Sequence, residues 1–157
     1  MPFTIRAAAL TDLEALQDVY LRSSLSNEGD RGHLLAHPED TILAEDGVRE
    51  ERTRVAVDPD GTVVGFASFL ITKGTAELED LFVHPSCMRR GIGTALVRDI
   101  AQHVHEKGFA TLEVTANPHA MAFYEHAGFT AGHMVETAYY PAPRMQRSSR
   151  YAPDDAP

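Results

Sequence analysis

Residues 84–96, HPSCMRRGIGTAL, place two arginines and two glycines within five positions and then run directly into a helical pattern. Glycines so close together are costly to order unless the backbone bends sharply or approaches another group closely. Free amides and the positive end of a helix dipole favour an anion at such a helix start, and arginine suits phosphate. The segment therefore indicates a turn that binds a diphosphate, assisted by Arg89 and Arg90.

Two other phosphate-binding interpretations of this turn are weaker. A nucleoside triphosphate loop ends in Gly-Lys-Ser/Thr, whereas Gly93 is followed by Thr94 and Ala95. A dinucleotide fingerprint needs a third small residue where this chain has Leu96. A turn of purely structural purpose stays open on these residues alone.

The remaining chain alternates strand and helix patterns. Strands are predicted at 3–9, 53–57, 62–72, 76–85 and 110–116, with one or two more in 129–149; helices are predicted at 11–24, 92–107, 119–128 and once within 25–52. Thr11 stands as N-cap of the first helix, with Glu14 at capping-box spacing. No repeat or linker interrupts this order. We expect one mixed α/β domain over residues 1–150 and a disordered tail at 151–157.

Composition excludes several classes of protein. The 157 residues suit one core, no apolar run approaches the roughly 20 residues of a membrane span, and the first residues lack a signal-peptide pattern. A single cysteine, Cys87, rules out an internal disulfide, and eight histidines lack metal-ligand spacing. The net charge of −9 argues against nucleic-acid binding. We expect a cytoplasmic protein without a metal, a membrane segment or a nucleic-acid partner.

Acidic residues are concentrated between positions 28 and 51, where there are eight of them and only two basic residues, Arg31 and Arg49. Such a stretch is either a solvated surface or a rim that attracts a cationic substrate.

Two stretches resemble the GNAT superfamily of acyl-coenzyme A-dependent N-acyltransferases. LEDLFVHPSCMRRGIGTAL (78–96) resembles its strand followed by Gln/Arg-x-x-Gly-x-Gly/Ala, and ANPHAMAFYEHAGF (116–129) resembles its Asn-x-x-Ala-x-x-Phe-Tyr-x-x-x-Gly-Phe. The likeness is close over residues 76–130 and elsewhere rests on element order. One departure is Met88, where the family usually has Gln or Arg. Because the family uses backbone amides at this place, we expect coenzyme binding to be retained without that side chain.

The resemblance implies a mixed, mostly antiparallel sheet of six or seven strands, flanked by about four helices, with the central strands splayed. It also implies direct transfer of an acetyl group from acetyl-coenzyme A to a primary amine. In such an enzyme the amides of Leu81 and Val83 would hold the acetyl and pantetheine portions, and Asn117 the pantetheine amide. The full set expected to bind the coenzyme is Leu81, Phe82, Val83, Met88, Arg89, Arg90, Gly91, Ile92, Gly93, Thr94, Asn117 and Tyr124.

The reaction needs a base for the amine and an acid for the leaving thiolate. By resemblance Glu79 is the first choice for the base and Glu77 the second, while Asp80 is expected to contact a cationic acceptor. Tyr124 matches the family's acid, since a phenol with a reference pKa of about 10 is protonated at neutral pH. Its alternative is a core tyrosine beside Phe123.

Several functional alternatives stay open. The acceptor is expected to be a small cationic amine, chosen by residues 25–52 and 134–147; a protein N-terminus or lysine is the alternative, although Thr115 stands where peptide-acetylating relatives often have arginine. A coenzyme A sensor without activity is a second class of function. A covalent acyl-enzyme on Cys87 is the weakest reading. Because relatives commonly pair through their edges, a homodimer is possible.

Overall fold

A computed structural model describes residues 2–26, 28–138 and 140–150, and the predicted tail at 151–157 lies outside the described residues. The described strands are β1 (Thr4–Ala7), β2 (Thr53–Val57), β3 (Val63–Thr72), β4 (Thr75–Val83), β5 (Thr111–Thr115), β6 (Thr130–Val135) and β7 (Ala142–Ser148). The described α-helices are α1 (Leu13–Ser26), α2 (Glu28–Ala36), α3 (Asp46–Arg49), α4 (Ile92–Glu106) and α5 (Met121–His126). Four 3₁₀ turns join them: Leu10–Asp12, Pro38–Thr41, Pro85–Cys87 and Pro118–Ala120.

The seven strands form one sheet in the order β1-β2-β3-β4-β5-β7-β6. The β4–β5 pair is parallel, while β1–β2, β2–β3, β5–β7 and β6–β7 are antiparallel. The register of β4 with β5 consists of Ala76↔Leu112 and Glu77↔Glu113, although β4 continues to Val83 and β5 to Thr115. The predicted fold class, a mixed and mostly antiparallel sheet, is confirmed.

Contacts divide the chain into two compact units. Unit 1 comprises Met1–Ser68 and Asp80–Leu96, and unit 2 comprises Phe69–Glu79 and Val97–Pro157. The prediction of one domain over residues 1–150 therefore stays a prediction.

Unit 1 is built on a core that α1 and α3 share with β2 and β3. Its buried members are Leu16, Val19, Val48, Val55, Val57, Val63 and Phe66. Phe82 of β4 packs against this core, with its ring centroid 4.8 Å from Tyr20 and 5.5 Å from Phe66. Gly65 of β3 lies so close to the first turn of α4 that an added Cβ would be 3.1 Å from Ile92 Cγ2 and 3.3 Å from Leu96 Cδ1.

The start of the first helical segment differs from the prediction that Thr11 is its N-cap. The chain turns helical at Leu10, and the Asp12 carboxylate accepts a hydrogen bond of 2.7 Å from the Ala9 amide. Asp12 also pairs with Arg6, which lowers the pKa of its carboxyl, first through that side-chain hydrogen bond. The predicted N-cap is wrong because the Asp12 carboxylate accepts the amide of Ala9, which lies two residues before Thr11. The single helix expected within 25–52 is also wrong, since α2 and α3 both lie there.

Unit 2 places β5 and β7 side by side, with one face buried. Leu112, Val114 and Met145 are buried, whereas Glu113 and Arg144 belong to the opposite, half-buried face. The α4 residues of this unit that are buried recur at helical spacing: Val97, Ile100, Ala101 and Val104. Among the described helices, none has the length and apolarity that crossing a bilayer requires.

Candidate active site

The glycine loop of unit 1 joins β4 to α4. After β4 the 3₁₀ turn Pro85–Cys87 leads to an extended Met88, and the backbone then takes left-handed conformations at Arg89 (φ 64°) and Gly91 (φ 78°). The α4 helix begins immediately afterwards, and the Ala95 amide donates to the Gly91 carbonyl over 3.0 Å. A left-handed φ is easy for glycine and rare for arginine. The loop therefore has the tight bend that the sequence predicted.

Residues predicted to bind the coenzyme at this loop differ in exposure. Arg89, Arg90 and Gly91 are exposed, and the Met88 side chain is 58% exposed. Ile92 is only 1% exposed, so its side chain anchors the start of α4 in the core. A rigid anchor next to an exposed bend suits backbone binding of an anion.

The strand β4 contains six of the predicted site residues: Glu77, Glu79, Asp80, Leu81, Phe82 and Val83. Glu79 is exposed, and Leu81 and Val83 are half-buried. Asp80, expected to contact a cationic acceptor, accepts a 2.8 Å hydrogen bond from the Ser68 hydroxyl. The Phe82 side chain is half-buried and packs against the core of unit 1.

A cluster of charged side chains in unit 2 surrounds Arg144 of β7. Its Nη2 atom donates to the carboxylate of Glu77 on β4 and, over 3.3 Å, to Glu113 on β5. Its Nη1 atom donates to the Thr115 hydroxyl over 3.1 Å. Two carboxylates thus share one guanidinium, and all three side chains are less than a third exposed.

Glu113 and Arg144 were not singled out from the sequence. The alternation of Leu112, Glu113 and Val114 indicates that Glu113 faces away from the core, but nothing local relates it to Glu77. Only the parallel register Glu77↔Glu113 and the antiparallel register Thr115↔Arg144 bring the cluster together. A shallow cavity of about 210 Å³ adjoins it and is lined by Glu113, Arg144 and the bulged part of β6.

Tyr124 lies on α5 between two aromatic rings of unit 2. The Phe123 and Phe129 rings meet it edge-on, with centroids at 5.2 and 5.4 Å. Burial raises the pKa of Tyr124 to about 12. The phenol is therefore protonated at neutral pH, which a proton donor to a thiolate requires.

Asn117 caps the turn that leads to α5. Its Oδ1 atom accepts a 2.9 Å hydrogen bond from the His119 amide. At the other end of α5, the buried Arg147 donates to the Ala127 carbonyl over 2.8 Å. The helix that carries Tyr124 is thus fastened at both ends.

Cys87 and the histidines were the remaining candidates for a nucleophile or a metal site. Cys87 is buried, with its Sγ atom 3.6 Å from the Ser86 hydroxyl. Over the part of the chain that the structure describes, no three His, Cys, Asp or Glu side chains are grouped so as to hold a metal ion.

Comparison with solved structures supports the fold. An N-acetyltransferase from Thermoplasma acidophilum, crystallised with coenzyme A, matches with a TM-score of 0.77 and 20% identity over 94% of this chain and 99% of that chain. At this identity the match shows the fold alone.

Sequence relatives are similar over most of the chain. The [ribosomal protein bS18]-alanine N-acetyltransferase of Escherichia coli is 29% identical over 141 residues, which cover 88% of this chain and 87% of that enzyme. Streptothricin acetyltransferase of Streptomyces lavendulae is 38% identical over 94 residues, 54% of this chain and 50% of that enzyme. The model of the acetyltransferase (GNAT) family matches residues 13–129. The chain belongs to this family and is an N-acetyltransferase.

Proposed function

We propose that this enzyme binds the diphosphate of acetyl-coenzyme A at the glycine loop and transfers the acetyl group directly to a primary amine. The observation that carries the proposal is the bend at Gly91, with φ 78°, directly before a fifteen-residue helix whose first side chain, Ile92, is buried. Backbone amides at that helix start favour an anion. The exposed guanidinium groups of Arg89 and Arg90 add charge suited to phosphate.

The reaction divides into three demands on this chain. The neutral amine attacks the thioester carbonyl, so a carboxylate must accept its proton, directly or through water. The carbonyl oxygen gains negative charge, for which the amides of Leu81 and Val83 are the proposed donors. The carbon–sulfur bond then breaks, and the Tyr124 hydroxyl supplies a proton to the coenzyme thiolate.

Glu79 is the proposed base. Glu77 is the second candidate, but its carboxylate is already bound by Arg144. Glu113 is bound by the same guanidinium, so the same argument applies to it as to Glu77. We expect E79Q to lower kcat by about 100-fold or more, and E77Q and E113Q to lower it less. If E77Q or E113Q shows the largest loss, the base assignment moves to that residue.

Two acceptor classes are supported by different observations. The acidic segment supports a small cationic amine, but Glu45 and Glu50 in it are paired with Arg49 and Arg52 at 2.8 and 3.0 Å, which reduces the charge left for a substrate. The Escherichia coli relative, which covers 88% of this chain, is named for an alanine of a ribosomal protein, and this supports a protein α-amine. An α-amine has a reference pKa near 8, against about 10.4 for lysine, so it needs less help to deprotonate.

The proposed activity is tested by measuring thiol release from acetyl-coenzyme A. The peptide acceptors begin with alanine and contain one internal lysine, and one of the two has a blocked N-terminus. The small-molecule acceptors are a polyamine, glucosamine 6-phosphate and streptothricin. We expect release with at least one primary amine, and faster release with the free alanyl peptide than with its blocked counterpart.

The same preparation is titrated with coenzyme A by calorimetry. Binding without turnover on every acceptor would favour the coenzyme A sensor, and Y124F would then bind as the wild type does. Absence of coenzyme A binding would contradict the proposal altogether. The predicted homodimer stays a prediction, which light scattering of the purified protein tests.

A further inference from the structure

Two 3₁₀ turns in this chain are built alike. Each begins with a cap residue followed by proline: His84-Pro85 in unit 1 and Asn117-Pro118 in unit 2. In each, the cap side chain accepts a hydrogen bond from the amide two residues on, over 3.1 Å at His84 and 2.9 Å at Asn117. In each, the cap carbonyl accepts a second bond of 2.8 Å, from the amide three residues on.

The unusual feature is that the first of these caps is a histidine. Asn, Asp, Ser and Thr are the residues that commonly cap a helical turn through a side-chain oxygen. Because the Ser86 amide can only donate, the Nδ1 atom of His84 must be its unprotonated nitrogen. The Ser86 hydroxyl lies 2.8 Å from the same atom.

The turn capped by His84 holds one end of the glycine loop. The His84 amide donates to the Val64 carbonyl over 2.8 Å, which joins the turn to β3, and Cys87 at its end is buried. The other end of the loop is held by the buried Ile92. Between these anchors the four residues 88–91 are exposed and include both left-handed positions.

We propose that His84 is a positioning residue for the coenzyme: by capping the Pro85–Cys87 turn through Nδ1, it sets the path of the glycine loop that binds the diphosphate. The proposal rests on the function proposed above. The role needs an acceptor atom at this position and not an imidazole as such. Asparagine, which the chain itself uses at position 117, should therefore replace it.

The test compares H84A and H84F, which lack the acceptor, with H84N, which supplies one. H84F keeps an aromatic ring and replaces H84A as the variant without an acceptor if H84A is unstable. Hydrogen–deuterium exchange of the protein without ligand is followed on peptides that span residues 84–96. Calorimetry with coenzyme A and the KM for acetyl-coenzyme A follow on the same proteins.

We expect H84A and H84F to exchange faster within residues 84–96 and to bind coenzyme A about fivefold more weakly, the size of a typical lost cap. H84N should exchange as the wild type does and bind within about twofold of it. KM for acetyl-coenzyme A should rise by the same factor in H84A, with kcat unchanged. S86A, which keeps the amide donor, should resemble the wild type.

Three results would overturn the inference: H84N as impaired as H84A, H84A with unchanged exchange and affinity, or S86A as impaired as H84A. A general loss of structure would instead raise exchange throughout the chain and would not be rescued by asparagine. Because the exchange experiment uses no ligand, it tests the cap even if the wild type fails to bind coenzyme A, a result that would contradict only the proposed function.

Discussion

The helices α4 and α5 follow similar capped turns but are held in different ways. Six of the fifteen α4 residues are buried: Ile92, Leu96, Val97, Ile100, Ala101 and Val104. The six-residue α5 is less deeply buried, since Met121, Phe123 and Tyr124 are half-buried, and it is instead fastened by Asn117 before it and Arg147 at its end. Isolated helices this short are unstable in water, so α5 depends on those bonds and on the aromatic contacts of Tyr124.

This difference matches what each helix is proposed to contribute. A long, buried helix has a rigid first turn, and its backbone amides and dipole can meet an anion without any particular side chain. A short surface helix offers few such amides and a small dipole, and the proposed contribution of α5 is the Tyr124 hydroxyl. We therefore expect the start of α4 to be sensitive to changes in the backbone, and α5 to be sensitive to a change in the Tyr124 side chain.

The largest effect is expected for Y124F. Loss of a general acid typically costs 10²- to 10⁴-fold in rate, so kcat should fall about 100-fold or more while coenzyme A binding stays within a few-fold of the wild type. Steady-state kinetics and calorimetry measure the two quantities. A kcat within a few-fold of the wild type would show that α5 does not contribute the acid.

The raised pKa of Tyr124 makes a prediction about pH. Since burial raises this pKa to about 12, the acid form persists and kcat should show no fall attributable to this phenol below about pH 11. The folded protein also holds the proton more tightly than the unfolded chain, whose phenol has a pKa of about 10. The free energy of unfolding should therefore decrease as pH rises from about 10 towards 12, and less so in Y124F. Urea titrations at pH 8, 10 and 11 measure this decrease.

G65A should break the packing at the start of α4. The added Cβ would be 3.1 Å from both Ile92 Cγ2 and the Phe82 carbonyl oxygen. Overpacking of this kind costs about 1–3 kcal/mol, which urea unfolding should detect. Unchanged stability would indicate that α4 moves away freely, contrary to the rigid first turn described above.

G91A tests the conformation of the glycine loop without a clash. No atom lies within 4 Å of the added Cβ, so the cost comes from the φ of 78°. That cost is about 1–2 kcal/mol, and coenzyme A should bind about tenfold more weakly. G74A is the matched control, because Gly74 has a φ of 75° and equally open surroundings in a hairpin turn. It should lose similar stability yet bind coenzyme A as the wild type does; equal loss of affinity in both would contradict a specific role for Gly91.

The smallest effect is expected at Arg89. R89G relieves a left-handed φ of 64°, so stability should not fall, but the lost charge should weaken coenzyme A binding by about two- to fivefold, as exposed ion pairs do. R89K keeps the charge and should bind nearly as the wild type does. The difference should shrink at high salt. Equal affinity of R89G and the wild type at low salt would exclude Arg89 from the diphosphate site.

The two motifs were readable from the sequence because each is local. The motif of the Gly91 bend lies within residues 78–96, and the motif of the Tyr124 helix lies within residues 116–129. The strand and helix patterns around them predicted the fold class. Local reasoning failed at Thr11, where Glu14 stands at capping-box spacing but Asp12 instead accepts a bond from the Ala9 amide. It also failed at 25–52, where polar residues conceal two helices. Neither error moved a proposed site residue.

The Arg144 cluster was decided by tertiary structure. Arg144 is 67 residues from Glu77 and 31 from Glu113, and no local pattern relates these positions. Strand order and register result from burying one face of each strand, a property of the whole sheet. By itself, the sequence determined the bend at Gly91, because short-range backbone preferences suffice for it. The sequence also predicted the position of the aromatic helix, but that helix is held in place by a tertiary bond from Arg147. Which carboxylates stand together was decided only when β4, β5 and β7 paired.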